Sequence, residues 1–249
     1  MTSEVTTAGL IVIGNEVLTG KVDDENTPFA INELRQLGVE LKQVAIISDD
    51  QQVIADTVRT FAAQFDWVFT TGGLGPTHDD VTMESIATAF SVPLVESDEL
   101  RTLVDRIESP EKRAVLKRMT MVPKGAQVFW GDEKKGHVWP TIHMENVYIF
   151  PGVPRLFRAR FGAMRSMLQN IPVICQTVYS SLREVAIVTA LNETVAEFSD
   201  VEMGSYPQFG DEDHKVRVTF ETRDKDRVEQ AVQHFIDRIG ESNILRIQR

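Results

Sequence analysis

A glycine-rich segment directly after an apolar run is the feature that most constrains the fold of this chain. Trp67-Val68-Phe69 leads into Thr70-Thr71-Gly72-Gly73-Leu74-Gly75-Pro76-Thr77-His78-Asp79-Asp80, and a helical pattern begins at Val81. Glycines at a strand-to-helix junction let backbone N–H groups approach phosphate oxygens without obstruction by Cβ atoms. The pattern predicts a phosphate-binding loop in an α/β fold, although the steric demands of a tight junction explain such glycines equally well.

The segments before this loop predict a β-α-β-α-β order. Leu10–Ile13, Val44–Ile47 and Trp67–Phe69 are unbroken apolar runs, which are typical of parallel strands covered on both faces. For the first helix we predict Asn26 as N-cap and Gly38 as the stop, with Phe29, Ile31, Leu34 and Leu37 facing inward. Ser48-Asp49-Asp50 caps the second helix, whose inward positions are Val53, Ile54, Val58, Phe61 and Phe65. Right-handed crossovers then give a doubly wound, mostly parallel sheet.

The rest of the chain completes this domain and adds a smaller one. Later elements of the first domain are predicted as helices over 81–90, 97–118 (broken at Pro110) and 155–168, and strands over 126–130 and 147–150. Pro172 is the predicted boundary between a domain of residues 1–172 and one of residues 173–249. The second reads as strand, helix, two strands and helix, a small βαββα domain of the α+β class.

Charge and composition exclude several functions. The net charge of −11 repels polyanions. The second domain carries 14 acids against 9 Lys and Arg, and it has no G-x-x-G loop of the kind that clamps an RNA backbone. We therefore expect no nucleic-acid partner. Small anions remain possible, because backbone amides and a metal ion bind phosphate without a basic surface. No apolar run is long enough for a membrane span, and the N-terminus does not resemble a signal peptide, so we expect a cytoplasmic protein.

Polar residues after the predicted strands mark the candidate site. In an open α/β sheet, ligands bind outside the carboxyl ends of the strands. Gly14-Asn15-Glu16, Asp49-Asp50, the segment Thr71–Asp80 and Pro151-Gly152-Val153-Pro154 each follow a strand, so we expect them along one edge. Glu16 has a second interpretation as a solvated loop residue.

Two adjacent acids at the end of the glycine loop indicate a cation. Asp79 and Asp80 beside a phosphate would repel it unless a divalent ion lies between them, and Mg²⁺ prefers one or two carboxylates with phosphate oxygens and water. We expect Asp80 to hold the metal with help from Asp79, and Asp49 to bind a second metal or orient a water. Helix capping is the alternative for all three acids. Lys117 and Arg118 either reach a ligand phosphate or belong to a solvated helix face.

Several of these segments resemble the molybdopterin-binding family. Those that carry the resemblance are residues 13–20, Asn26-Thr27, Thr70–Thr82 and Phe150–Pro154, and they look most like competence/damage-inducible protein A and the corresponding domain of eukaryotic FAD synthases. The segment Gly136–Ile142 departs from the usual Gly-Thr-Ala-Pro-Gly loop and looks more like the FAD synthase form. The small last domain, with Gly204-Ser205-Tyr206-Pro207, also looks similar to these two subgroups.

The resemblance implies one of two chemistries. Pterin adenylyltransferases of the family use aspartates that match Asp49 and Asp80, with Mg²⁺, to transfer AMP to molybdopterin. The two subgroups named above are instead associated with metal-dependent hydrolysis of pyrophosphate bonds in ADP-ribose or FAD. No amidase or synthase domain follows in this chain, so nicotinamide mononucleotide deamidation and FAD synthesis are not expected.

Our leading interpretation is a nucleotide pyrophosphatase that depends on Mg²⁺, Co²⁺ or Ni²⁺, acts on ADP-ribose-like or FAD-like dinucleotides and forms a homo-oligomer. Adenylyl transfer to molybdopterin, or pterin or nucleotide binding without turnover, are the alternatives. The predicted site has catalytic Asp49 and Asp80, metal-binding Asp79 and Asp80, and substrate-binding Gly14, Glu16, Asn26, Thr71, Gly72, Gly73, Gly75, Pro76, Thr77, Lys117, Arg118, Pro151 and Gly152.

Overall fold

The computed structural model describes residues 5–130, 139–210 and 213–249, and the chain divides into two compact units, Met1–Asn170 and Ile171–Arg249. Pro172, the boundary predicted from the sequence, is the second residue of the second unit. Each unit has its own apolar core. Among the described residues, no helix has both the length and the apolar character of a transmembrane span.

The first unit alternates strands and helices. Its elements are β1 (Thr7–Ile13), α1 (Asn15–Leu18), α2 (Asn26–Gln36), β2 (Glu40–Ile47), α3 (Gln51–Gln64), β3 (Trp67–Thr71), α4 (Thr82–Ala89), β4 (Leu94–Glu96), α5 (Asp98–Asp105), α6 (Pro110–Leu116), β5 (Met121–Pro123), β6 (Gln127–Phe129), β7 (Thr141–Met144), β8 (Val147–Phe150), α7 (Pro154–Ala163) and α8 (Arg165–Leu168). A 3-10 turn over Lys117–Thr120 joins α6 to β5.

The described residues of this unit form a six-stranded sheet in the order β2-β1-β3-β8-β7-β6. The first four strands of that order are parallel, and β7 and β6 extend the sheet in antiparallel fashion. β4 and β5 pair separately as a short antiparallel ribbon. The predicted doubly wound, mostly parallel α/β fold is therefore confirmed.

Apolar residues on successive positions of β1 point to opposite faces of the sheet, as strand geometry requires. Ile11 and Ile13 contribute to a core with α3, α4 and α5, whereas Leu10 and Val12 contribute to a core with α2, α7 and α8. Because both faces are covered, the segment Leu10–Ile13 of β1 is apolar at every position, and β1 lies between β2 and β3. Every loop that follows a parallel strand thus starts from a rigid position.

Three local predictions for the helices were wrong. Asn26 is the first residue of α2 and not its N-cap, because the carboxylate of Asp24 accepts hydrogen bonds from the N–H groups of Asn26 and Thr27 and fills the capping role. Ile31 and Val53 are exposed and do not face the core. In α2 the buried stripe instead follows Ala30 and Leu34, a spacing of one helical turn that leaves Ile31 on the flank.

The second unit is an antiparallel sheet with two helices. Its elements are β9 (Ile174–Ser180), α9 (Glu184–Glu197), β10 (Glu202–Pro207), β11 (Val216–Thr222), α10 (Lys225–Ile239) and β12 (Ile244–Gln248). Its described residues form four strands in the order β10-β11-β9-β12. The predicted βαββα order was incomplete, because β12 adds a strand at the edge next to β9. Its side chains are largely exposed, so it lacks the apolar alternation by which strands are found.

Candidate active site

Four strand ends meet along one edge of the large sheet. The N–H of Gly14, after β1, donates to the carbonyl of Ile47 at the end of β2 at 3.1 Å. The N–H of Gly72, after β3, donates to the carbonyl of Phe150 at the end of β8 at 3.2 Å. The loops after these strands therefore start side by side, as the switch-point rule for α/β sheets requires.

The glycine loop takes a path that only glycine permits. Gly72 has φ +107°, and a Cβ atom there would lie 2.0 Å from the backbone oxygen of Ile13. Gly73 has φ +60°, and a Cβ atom there would lie 2.3 Å from the hydroxyl of Thr82. That hydroxyl donates to the carbonyl of Gly72 at 2.9 Å, which fixes the turn against the start of α4. The glycines are required by the close approach of β1 and α4, and they also leave the loop backbone open on its other side.

The acids at the end of the loop are drawn together by Thr77. Oδ2 of Asp80 accepts from the Thr77 N–H at 2.9 Å, and the Thr77 hydroxyl lies within hydrogen-bond distance of one carboxylate oxygen each of Asp79 and Asp80. The hydroxyl bond lowers the pKa of the Asp79 carboxyl below its ordinary value. α4 has no side-chain cap, so neither acid has the capping role considered above. Two carboxylates therefore converge on a single hydroxyl proton.

These acids and Thr77 present only hard oxygen atoms, which is the donor type that Mg²⁺ prefers. Within the described ranges, no group of three or more His, Cys, Asp or Glu side chains forms a complete metal cage. One or two carboxylates completed by ligand phosphate and water suit Mg²⁺ better than a full cage does. The residues at this position fit a divalent ion that is shared with a phosphorylated ligand.

Arg118 holds the loop in place from the side. It donates to the carbonyl of Thr77 and, through Nη2 at 2.8 Å, to the carbonyl of Asp80. Nη2 also forms an ion pair with Glu84 of α4 at 2.9 Å. The guanidinium is thus bound to the loop and to α4, and we assign it a positioning role. Lys117 is exposed and is not among the described residues that line the cavity beside the loop.

A cavity of about 270 Å³ opens beside the glycine loop. Gly73, Gly75 and Asp80 form its polar side with the Arg118–Glu84 pair, and Arg160 of α7 also lines it. The remaining wall is apolar and is formed by Leu74, Met83, Leu94, Met119, Met121, Trp139, Pro140, Ile142, Ile149, Pro151 and Leu156. A polar rim on an apolar pocket suits a ligand that joins a phosphate to a flat ring.

The predicted residues after β1 and β2 lie further along the same edge. Oδ2 of Asp49 accepts from the Asn15 N–H at 2.9 Å, whereas Asp50 is the residue that caps α3. Glu16 is exposed and its carboxylate folds back over Gly14. Because β2 is two strands from β3, about 10 Å separates the strand ends. Asp49, Gly14 and Glu16 are not among the described residues that line the cavity.

Asn26, Thr71 and Gly152 form a junction beneath the loop. Nδ2 of Asn26 donates to the Thr71 hydroxyl at 2.9 Å and to the Gly152 carbonyl at 2.8 Å, and the Thr71 hydroxyl donates to the carbonyl of Pro151 at 3.0 Å. Asn26 and Thr71 are buried. These contacts tie α2, β3 and the segment after β8 together, so they support the site from below. Pro76 lies exposed at the tip of the loop.

Residues 9–170 match the family described as "Probable molybdopterin binding domain". The chain belongs to this molybdopterin-binding family. The resemblance based on the strand-end motifs is thereby confirmed. Residues 172–248 match a second family, described as "FAD synthase, middle domain".

Relatives of this chain match it over both units. A protein of Archaeoglobus fulgidus is 35% identical over 226 residues, which cover 91% of this chain and 95% of the relative. A probable FAD synthase of Caenorhabditis briggsae is 32% identical over 90% of this chain but only 47% of its own length. A CinA-like protein of Thermotoga maritima is 28% identical over 94% of this chain and 59% of its own length. The chain therefore spans only about half of the FAD synthase.

Among solved structures, the protein CinA from Thermoplasma acidophilum, described as of unknown function, superimposes with a TM-score of 0.58 at 26% identity. The match covers 66% of this chain and 100% of the CinA chain. It supports the assignment of the molybdopterin-binding fold to the first unit.

The apolar and cationic walls of the cavity were not predicted from the sequence. Met83, Met119, Trp139 and Arg160 come from four separate segments and meet only in the folded chain. Nothing in their local sequence distinguishes them from ordinary core or surface positions. Residues 136–138 of the departing segment 136–142 lie outside the described residues, whereas Trp139, Pro140 and Ile142 line the cavity.

Proposed function

We propose that the first unit is a metal-dependent pyrophosphatase that hydrolyses ADP-ribose-like or FAD-like dinucleotides. The observation that carries the proposal is a single cavity that is lined by Gly73, Gly75 and Asp80 and by apolar residues that include Trp139. Loop N–H groups suit phosphate oxygens, and the apolar wall suits a nucleotide ring. A dinucleotide has both features joined by the bond that is to be broken.

The residues have separate roles in this proposal. Backbone N–H groups of the loop orient the phosphates, and Arg118 keeps the loop in position through the carbonyls of Thr77 and Asp80. Asp80, with Asp79, would hold Mg²⁺, Co²⁺ or Ni²⁺, which when bound neutralises phosphate charge. Asp49 accepts from the Asn15 N–H through Oδ2 and is not among the described residues that line the cavity, so we assign it no step in the hydrolysis.

The reaction consumes one water and needs no other co-reactant. The water oxygen forms a bond to one phosphorus, and the bridging P–O bond breaks. The products are AMP and a second phosphate monoester, which is ribose 5-phosphate from ADP-ribose or FMN from FAD. The departing phosphate takes the electron pair of the broken bond, and the proton of the water is released.

The family matches give this proposal further support. Residues 172–248 match the middle domain of FAD synthase, and the related probable FAD synthase is an enzyme by its name. Because the chain spans only 47% of that protein, FAD synthesis itself is not transferred to it. FAD, which the names of these relatives mention, is a dinucleotide that contains a pyrophosphate. The lining of the cavity suits a ligand of that kind.

Adenylyl transfer to molybdopterin is the second candidate. The match of residues 9–170 to the molybdopterin-binding family favours it. It uses the same loop and acids but requires a pterin phosphate as acceptor in place of water. Binding of a pterin or nucleotide without turnover is the third. A homo-oligomer also stays a prediction, which light scattering of the purified protein tests.

The test is AMP release from ADP-ribose and from FAD with Mg²⁺, Co²⁺ and Ni²⁺ in turn, for wild type and two variants. Asp80→Asn should lower kcat/KM by roughly a hundredfold or more, because it removes a charged metal ligand. Asp98→Asn is the matched control, since that side chain is 85% exposed and pairs with Arg101 at the start of α5. AMP release that survives Asp80→Asn would overturn the proposal. Absence of release from both dinucleotides by wild type would leave adenylyl transfer or simple binding.

A further inference from the structure

Arg160 is a buried cation in the wall of the cavity. It lies on α7 one helical turn after Leu156, which lines the same cavity. Only 6% of the residue is exposed. Among the described residues, none accepts a hydrogen bond from its Nη2 atom and none forms an ion pair with it.

A guanidinium in this position carries an uncompensated charge. Burial lowers the pKa of Arg160 below its ordinary value, but arginine keeps its proton in proteins. A buried charge without a partner destabilises a fold, and chains retain such a group only where something else compensates it. The open cavity is the side from which a compensating group can arrive.

Neighbouring arginines on the same stretch of chain behave differently. Arg158 forms an ion pair with Glu25 at 2.8 Å, and Arg165 forms one with Glu33. Both are partly exposed. Glu25 and Glu33 therefore pair with Arg158 and Arg165, whereas no described acid forms an ion pair with Arg160.

The other charges that face the cavity do not neutralise Arg160. Glu84 and Arg118 form an ion pair with each other at 2.9 Å. Of the described charged residues that line the cavity, this leaves Asp80 as the anion and Arg160 as the cation. A ligand with a phosphate group satisfies the cation directly, because the guanidinium fork matches phosphate oxygens.

We propose that Arg160 is a binding residue for a phosphate group of the ligand, in a subsite of the cavity separate from the acids Asp79 and Asp80. The inference rests on the proposed function in that it takes a nucleotide as the ligand. It adds a recognition element that belongs to α7 and not to the glycine loop. Arg160 then distinguishes phosphorylated ligands from their unphosphorylated forms whether or not a bond is hydrolysed.

A structural role for Arg160 makes the opposite prediction for stability. If the guanidinium held the fold together, then Arg160→Met would lower the melting temperature of the ligand-free protein. If it is an uncompensated charge kept for binding, a methionine of similar length stabilises the ligand-free protein or leaves it unchanged. The pairing of unchanged or higher stability with weaker phosphate binding separates the two roles.

The experiment measures binding of AMP, adenosine and inorganic phosphate by titration calorimetry, with a chelator present so that no metal contributes. Wild type should bind AMP at least tenfold more tightly than adenosine, and Arg160→Met should weaken AMP binding roughly tenfold to a hundredfold. Arg160→Lys, which keeps the charge but loses the fork, should lie between them. Arg158→Met is the matched control on the same helix and should retain the preference for AMP.

Three results would overturn the inference. These are a wild type that does not prefer AMP to adenosine, an Arg160→Met protein that keeps the preference, and an Arg160→Met protein that melts several degrees lower without ligand. Competition by inorganic phosphate against AMP in wild type but not in Arg160→Met would show that the phosphate alone is recognised. Because AMP has no pyrophosphate bond, these outcomes are independent of whether the protein hydrolyses dinucleotides.

Discussion

Nδ2 of Asn26 donates a hydrogen bond to the Thr71 hydroxyl at 2.9 Å, and this contact joins the first turn of α2 to the end of β3. The same amide donates to the carbonyl of Gly152 at 2.8 Å. A single buried side chain therefore connects three segments that are far apart in sequence. The glycine loop begins directly after Thr71, so the position of the loop depends on this junction.

Asn26→Ala should lower the free energy of unfolding by about 2 kcal/mol, because it leaves buried partners without their donor. Urea unfolding, followed through the transition of the first unit, measures the change in the free energy of unfolding. Asn32→Ala, on the same helix, removes an exposed hydrogen bond to the Pro28 carbonyl and should change stability by less than about 0.5 kcal/mol. Equal effects of the two substitutions would show that the junction is not important for stability.

Gly72→Ala should be strongly destabilising, by roughly 3 kcal/mol or more, because of both the positive φ and the clash of Cβ with the backbone of Ile13. Gly162→Ala, in α7, is the control: apart from its chain neighbours and the backbone of its own helix, no atom lies within 4 Å of its added Cβ, and helix propensity predicts stabilisation by up to about 1 kcal/mol. Thermal and urea unfolding check both. A Gly72→Ala protein as stable as wild type would contradict the described loop path.

Arg118→Met should free the glycine loop without unfolding the unit. Removal of donors to the carbonyls of Thr77 and Asp80 takes away two contacts of about 1 kcal/mol each, so amides of residues 74–81 should exchange with deuterium roughly tenfold faster. Hydrogen exchange read by mass spectrometry measures this. Arg101→Met, which removes exposed pairs with Asp98 and Glu96, should leave exchange in the loop unchanged. If the amides of the loop exchanged at the same rate in Arg118→Met as in wild type, Arg118 would have no positioning role.

Asp66 gives a pH dependence of stability with a definite sign. Its carboxylate accepts from the N–H of Thr7 at 2.7 Å and from the Thr7 hydroxyl at 2.8 Å, and these bonds lower its pKa below the ordinary 3.8. A lowered folded-state pKa gives stability that is present above 3.8 and lost as the pH falls through the folded-state value.

Asp66→Asn should therefore be less stable than wild type at pH 7, and the difference should shrink progressively below pH 3.8. Urea unfolding at stepwise pH values measures both proteins. In a Thr7→Val background, which lacks the hydroxyl, the pH-dependent part should be smaller. A difference between Asp66→Asn and wild type that is the same at every pH would contradict the assignment.

The sheet could be predicted from sequence because buried parallel strands leave a strong local signal. Leu10–Ile13 and Val147–Phe150 are apolar at every position, since helices cover both faces. By contrast, β7 was missed, because two of its four residues, Thr141 and His143, are polar. β12 was also missed, because it is an edge strand whose exposed side chains carry no apolar pattern.

The glycine loop could also be predicted from the sequence, because all its residues are contiguous. Asp80 lines the cavity with Gly73 and Gly75, as their shared segment suggested. Arg160 was not predictable, because its sequence neighbourhood resembles that of Arg158, and only the fold places one in the cavity wall and the other on the surface. The separation of Asp49 from the cavity likewise follows from strand order, which spacing along the chain does not reveal.

We propose above that the acids beside the loop accept a phosphorylated ligand together with a divalent cation. Calorimetric titration of the non-hydrolysable α,β-methylene analogue of ADP-ribose, with and without Mg²⁺, tests it most directly. We expect at least about tenfold tighter binding with Mg²⁺ for wild type and no such gain for Asp80→Asn. Binding that is equally tight in the presence of a chelator, or a Mg²⁺ effect that persists in Asp80→Asn, would contradict the claim.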